Sequence, residues 1–207
     1  MVDVGTSYNQ LSGRDAERLR TLADGVFAVA MTLLVLDVRL PEGTEATTNS
    51  GLWTELQALG PQFAAYLLSF TMLGTFWLAE HTLLNVCERS DRTLAWSVLA
   101  FLFFVSTLPF SASVLSSHVH LALAVGVYWA NLLGLGVTLG WQVVHVMRAG
   151  LAERSESVLL IRRRLVVAQT LYAMAASISL LNPPAAIIAL AVVQLFFIVS
   201  PRLPFRF

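Results

Sequence analysis

Six apolar stretches take up most of this chain, and each is long enough, or nearly so, to cross a lipid bilayer. A helix needs about 20 mainly apolar residues to cross the hydrocarbon. The stretches run over about residues 19–40, 61–84, 93–113, 121–146, 165–181 and 184–199. Only Asn182-Pro183-Pro184 divides the last two. A residue before proline is pushed out of the helical region, so the triplet reads as a tight turn between antiparallel helices. One kinked segment is the alternative. The expected fold is all-α: an integral membrane bundle of six transmembrane helices, forming a single domain over residues 1–207.

Composition agrees. Charged residues make up 13% and hydrophobic residues 57% of the chain, whereas a soluble domain carries about 25% charged residues. This excludes a disordered chain and argues against a soluble globule or an ordinary cytosolic enzyme. A net charge of zero gives no general attraction to nucleic acid. The single cysteine, Cys87, allows no internal disulfide.

Orientation follows from the arginines, because all thirteen basic residues are arginine. Six crossings put twelve of them on one side: Arg14, Arg18, Arg20, Arg89, Arg92, Arg148, Arg154, Arg162, Arg163, Arg164, Arg202 and Arg206. Arg39 alone falls on the other. Basic residues concentrate on the cytoplasmic side, so both termini are expected there, in a cell (inner) membrane. The Arg162–Arg164 cluster, expected in the loop between the fourth and fifth stretches, reads as a topology signal. A lipid-headgroup or regulatory site is the alternative.

The first eighteen residues are polar and mixed in charge, unlike a signal peptide. Ser12 and Asp15 loosely resemble a helix N-terminal box, so the first helix is expected to start near Gly13. In the loop over about residues 41–60, which holds Glu42, Glu45 and Glu55, Leu52–Leu59 could form a short interfacial helix anchored by Trp53.

The first stretch is unusual. Asp24 and Asp37 bracket its apolar run, and thirteen steps of helix cover about 20 Å, less than the ~30 Å hydrocarbon. An acid inside the membrane is costly unless it faces protein or water. Gly25, Ala28, Ala30 and Thr32 are small and permit close helix contact. This helix therefore could line a pathway. Local pairing of Asp24 with Arg20, at i, i+4 spacing, is the plainer reading.

The segment from Arg18 to Leu36 resembles the first helix of the transmembrane protein 175 family of potassium channels. The family signature there is R-x-x-x-F-S-D. Arg18 and Asp24 match it, while Leu22 and Ala23 replace its Phe and Ser. The likeness extends to Trp77 and His81 in the second helix, Leu108-Pro109-Phe110 in the third, and Tyr128 and Asn131 in the fourth. An asparagine expected early in the third helix is Val98.

The resemblance implies a homotetramer in the lipid bilayer, with the first helix of each subunit lining a pore for monovalent cations, potassium above all. It implies a constriction of apolar side chains rather than a backbone-carbonyl filter. Counted from Asp24, the matching positions are Val29, Leu33 and Leu36, with Thr32 beside them. Their i, i+4, i+7 spacing places the three on one helix face, where a ring of them can gate by dewetting. By spacing alone, such a stripe reads as a helix contact. The resemblance also makes Arg18, Asp24, Trp77 and His81 a polar network between the first two helices. Glu80 could face the inner vestibule and attract cations, or be a solvated helix end.

A secondary cation or proton-coupled transporter is the alternative function. Neither G-x-S-x-G nor H-E-x-x-H occurs, so no enzyme, catalytic residue, metal site or cofactor is expected. His118 and His120 read as two exposed polar residues rather than metal ligands, and Cys87 as a small packing residue.

Overall fold

The computed structural model describes residues 16–40, 46–87, 89–152 and 155–199. The expected helix start near Gly13, its Ser12 and Asp15, the acids Glu42 and Glu45, and Arg14, Arg154, Arg202 and Arg206 lie outside them.

The described residues form seven α-helices: α1 Ala16–Leu33, α2 Asn49–Ala58, α3 Gly60–Asn85, α4 Arg92–Ser117, α5 Ala122–Ala149, α6 Ser155–Ser177 and α7 Pro183–Val199. Four are long and apolar enough to cross a membrane: α1 with the 3-10 turn Leu34–Asp37 that extends it, α3, α4 and α5. The fourfold agreement with the first four apolar stretches is close. At α6 the helix and the apolar stretch part company. The helix begins at Ser155, ten residues before Leu165, so Arg162–Arg164 lie in its first half and not in a loop. Arginine is a good helix former, so hydropathy locates the oily part of this helix but not its end. The helix α7 is apolar but has only 17 residues.

Local sequence explains the ends. Thr48 caps α2, its hydroxyl accepting from the Gly51 amide at 3.1 Å. This helix covers the expected Leu52–Leu59 segment and leaves Trp53 exposed. Pro61 stands in the first turn of α3, where its missing N–H costs nothing. Asp91 caps α4 by accepting from the Leu94 amide at 2.7 Å, and its carboxylate also pairs with His145 of α5 at 2.7 Å. Gly150 ends α5 with φ 61°, the left-handed turn that glycine adopts without a Cβ clash. After α6 and a 3-10 turn at Ile178–Leu180, Asn182 accepts from the Ala185 amide at 3.1 Å and starts α7. The expected turn at Asn182-Pro183-Pro184 is thus observed.

The hairpin of α4 and α5 is the most extensive helix pair. The Phe104 ring of α4 lies over Gly134 of α5, where an added Cβ would meet it. Packed on α4 and α3 lies α1, while α6 and α7 pair with each other against α5 and α3. Phe27, Phe76 and Phe101 join α1, α3 and α4 in one aromatic cluster, with ring centroids 5.9 Å and 6.3 Å from Phe101.

Several polar groups inside the bundle are paired across helices. Tyr172 of α6 donates to Gln194 of α7 at 2.8 Å. The Gln194 amide donates to the Thr71 carbonyl and the Thr75 hydroxyl of α3 at 2.8 and 2.7 Å. Asn131 donates to Thr107 at 2.8 Å, and Ser69 to the buried Tyr128 hydroxyl at 3.2 Å.

Candidate functional site

The helix α1 has two unlike faces. Ala23, Phe27, Ala30 and Leu34 are buried against α3 and α4. The opposite face is uncovered: Val29 is 57%, Leu33 43% and Leu36 54% exposed. Thr32 is exposed beside them. Its hydroxyl donates to the Val29 and Ala28 carbonyls at 2.8 and 3.0 Å, which leaves its oxygen lone pairs pointing away from the helix as acceptors. Leu22, Gly25 and Ala28 continue the uncovered surface toward the start of α1. A helix contact within one subunit therefore does not account for the Val29-Leu33-Leu36 stripe.

Asp24 is held from a second helix. The Trp77 indole N–H of α3 donates to the Asp24 carboxylate at 2.7 Å. His81, one turn along α3, lies against the Trp77 ring with centroids 5.3 Å apart. The structure thus brings Asp24, Trp77 and His81 together. Arg18, on the exposed side of the first turn, also has a bonding partner. Ala23 and Val98, which replace polar residues of the family pattern, are both buried and offer only apolar contact.

Arg20 behaves differently from its i, i+4 spacing to Asp24. Its guanidinium reaches the end of α3, with Nε and Nη2 on the Leu84 carbonyl at 3.0 and 2.7 Å and Nη2 on the Cys87 carbonyl at 3.3 Å. Carbonyls at a helix C-terminus lack internal partners and carry partial negative charge that a cation satisfies. So α1 is attached to the C-terminal half of α3 twice, through Asp24 and through Arg20, one turn apart along α1. Arg20→Leu is expected to destabilise the fold by about 2 kcal/mol, since hydrogen bonds to a charged group are worth ~1.5–3 kcal/mol. Thermal unfolding in detergent measures it.

Cys87 follows α3 and is buried, its thiol donating to the Leu83 carbonyl at 3.3 Å. Burial pushes the thiol up to about 11. The thiolate is the reacting form, so reactivity rises only toward that alkaline value. Maleimide at pH 7.5 is expected to leave Cys87 unlabelled in the folded protein and to label it at once in denaturant. Labelling at equal rates would contradict the burial.

Glu80, expected at a vestibule or in solvent, is neither: it is 1% exposed. Gln142 of α5, equally buried, sets the end of its amide 3.1 and 3.0 Å from the two Glu80 oxygens, with the nitrogen assigned to that end because this orientation pairs both groups. A lone glutamine inside the fourth apolar stretch was the signal that could have flagged a polar partner. Its mate could not be read from the sequence, because it lies on another helix. His118 is exposed, with Nδ1 3.2 Å from the Val114 carbonyl. Among the described residues no three His, Cys, Asp or Glu side chains are grouped to hold a metal.

The family described as "Endosomal/lysosomal potassium channel TMEM175" matches residues 18–109. A protein named potassium channel from Streptomyces collinus is 33% identical over 144 residues, covering 66% of this chain and 66% of that protein. This chain belongs to the TMEM175 family. Animal members include a rat protein named "Endosomal/lysosomal proton channel TMEM175", 36% identical over 98 residues, or 45% of this chain and 20% of that protein. The chain therefore spans about two thirds of the Streptomyces relative and a fifth of the rat one. The solved structure of a TMEM175 homolog from Chamaesiphon minutus, titled a lysosomal potassium-selective channel homolog, superimposes with a TM-score of 0.78. The superposition covers 89% of this chain and 97% of that one at 24% identity. It shows that the chain has the TMEM175 fold. The family match begins at Arg18 and ends at Pro109, so it includes nearly all of α1, the Asp24–Trp77 bond and the larger part of α4.

Proposed function

We propose that this chain is one of four subunits of a potassium-permeable channel, with α1 of each lining a central pore. The observation that carries this reading is the uncovered face of α1. Val29, Leu33 and Leu36 stand exposed on the side opposite to the packed Ala23, Phe27, Ala30 and Leu34. Four such faces around an axis give an apolar constriction that passes ions only when wetted, with the Thr32 oxygens beside it. Asp24 and Trp77 tie the pore helix to α3 at its inner end, and Arg18 and His81 extend that network.

Each subunit crosses a cell membrane six times, through α1, α3, α4, α5, the apolar second part of α6, and α7. The arginine distribution places both termini in the cytoplasm. At 17 residues, α7 covers about 25 Å, short enough to require local thinning of the bilayer. Long side chains such as those of Arg162–Arg164 snorkel to the interface.

Purified protein in liposomes with a potassium gradient tests the reading. Electrogenic potassium flux with unitary currents is expected. No such flux from a folded sample would sink it, and saturating flux without unitary currents would favour a secondary transporter. The animal relatives named proton channels give a reason to repeat the assay with a pH gradient, which separates proton from potassium permeation.

A further inference from the structure

Among the described residues, the interior of the bundle holds one acidic side chain, which the pore does not use. Glu80 sits on α3, one turn beyond Trp77, and is closed off from solvent. Residues at i and i+3 stand one above the other on a helix, so Trp77 and Glu80 are neighbouring arms of the same stretch of α3. One arm reaches α1, through the 2.7 Å bond to Asp24. The other reaches α5, through Gln142 at 3.0 and 3.1 Å.

The helices α3 and α5 otherwise approach over a short stretch only, and two long polar side chains fill the gap. Burying a carboxyl group is costly unless it is hydrogen-bonded, and an apolar pair would pack there without that cost. What a polar pair adds is register: its bonds form at one relative position of the helices. Gln142 is itself part of α5, which α4 clasps along its length. The inner end of α1 is thus referred, through α3, to the most firmly packed hairpin of the subunit.

We propose that the Glu80–Gln142 pair is a positioning device for the pore helix: it fixes α3 on α5, and through Trp77 and Arg20 the setting of α1 that determines how often the pore opens. The inference rests on the channel reading for its effect on opening. Its structural half, that the pair sets the α1–α3 junction, can be read without any current.

The test compares three forms of the full-length chain. In E80M/Q142M, flexible side chains of similar length fill the space with no unpaired polar atom, so folding is kept. E80Q retains an amide–amide pair at the same place. Cys87, the only cysteine, reports on the junction, because Arg20 bonds to its carbonyl. At an alkaline pH where the folded protein labels measurably, maleimide labelling of Cys87 in E80M/Q142M is expected to quicken about tenfold over E80Q, and open probability per channel to shift by about fivefold from the parent, within the range of coupling between neighbouring sites. Unitary conductance and melting temperature stay as in the parent. E80Q, which also removes the Glu80 charge acting on the Cys87 thiol, is the reference for labelling, and is expected to follow the parent in open probability, unitary conductance and melting temperature. Unchanged labelling and opening in E80M/Q142M would overturn the proposal, as would equal shifts in E80Q and E80M/Q142M. Quickened labelling with no potassium current in any form would keep the junction and discard the channel.

Discussion

Replacing Leu33 by asparagine is expected to raise the unitary potassium conductance about tenfold, which corresponds to a barrier lowered by ~1.4 kcal/mol. An apolar ring resists wetting, and an ion that passes must keep water with it or lose hydration. An amide at this position in each of four subunits would hold water in the narrowest part of the pathway. Preference for potassium over sodium should fall at the same time, because a wetter and more polar ring discriminates less by hydration. Leu33 is exposed on a single subunit, so the substitution leaves the packed face of α1 intact and the protein folded. Single-channel recording in planar bilayers with mixed potassium and sodium solutions reads both effects. Conductance and ion preference equal to the parent's would mean that this stripe faces something other than the pore.

The largest loss of fold is expected from Gly134→Val. A Cβ at this position would stand 2.3–2.7 Å from three atoms of the Phe104 ring, inside van der Waals contact. The ring must shift to admit the new side chain, within the most extensive helix contact among the described residues. Valine adds two further methyl groups to the clash. Overpacking such an interface costs about 1–3 kcal/mol, occasionally more. Melting in detergent, followed by size-exclusion chromatography, should show a strongly lowered midpoint and loss of the assembled peak. Phe104→Ala combined with Gly134→Val should recover much of the loss, since it removes the atoms the new side chain meets. An unaltered melting midpoint in Gly134→Val alone would show that the helices can part there at little cost.

What could be read from the sequence depended on the range of the interaction. The first four apolar stretches became helices within a few residues of their expected limits, because hydropathy over twenty residues is a strong local signal. The tight turn at Asn182-Pro183-Pro184 was legible for the same reason: proline restricts its own neighbour. Asp24, Trp77 and His81 were picked out by resemblance, and the structure does bring them together. Arg20 was misjudged because spacing along one helix offered Asp24 as a partner, while the guanidinium reaches carbonyls 64 and 67 residues away. Glu80 was misjudged similarly. Near the end of an apolar stretch, with His81 beside it, it had the local look of a solvated helix end, and its amide partner lies on α5. The start of α6 escaped because arginines mark where a membrane ends, not where a helix does.

Asp24 ends as more than a link in the network. It stands on the exposed side of α1 in a single subunit, and its one described bond, to Trp77, satisfies only part of a carboxylate. An orphan subunit in lipid would expose that acid to hydrocarbon, where an ionisable group is costly. A closed assembly would give it a watery lumen instead. On the proposed assembly the same side chain favours the closed ring over the lone subunit, because only in the ring does this acid face water.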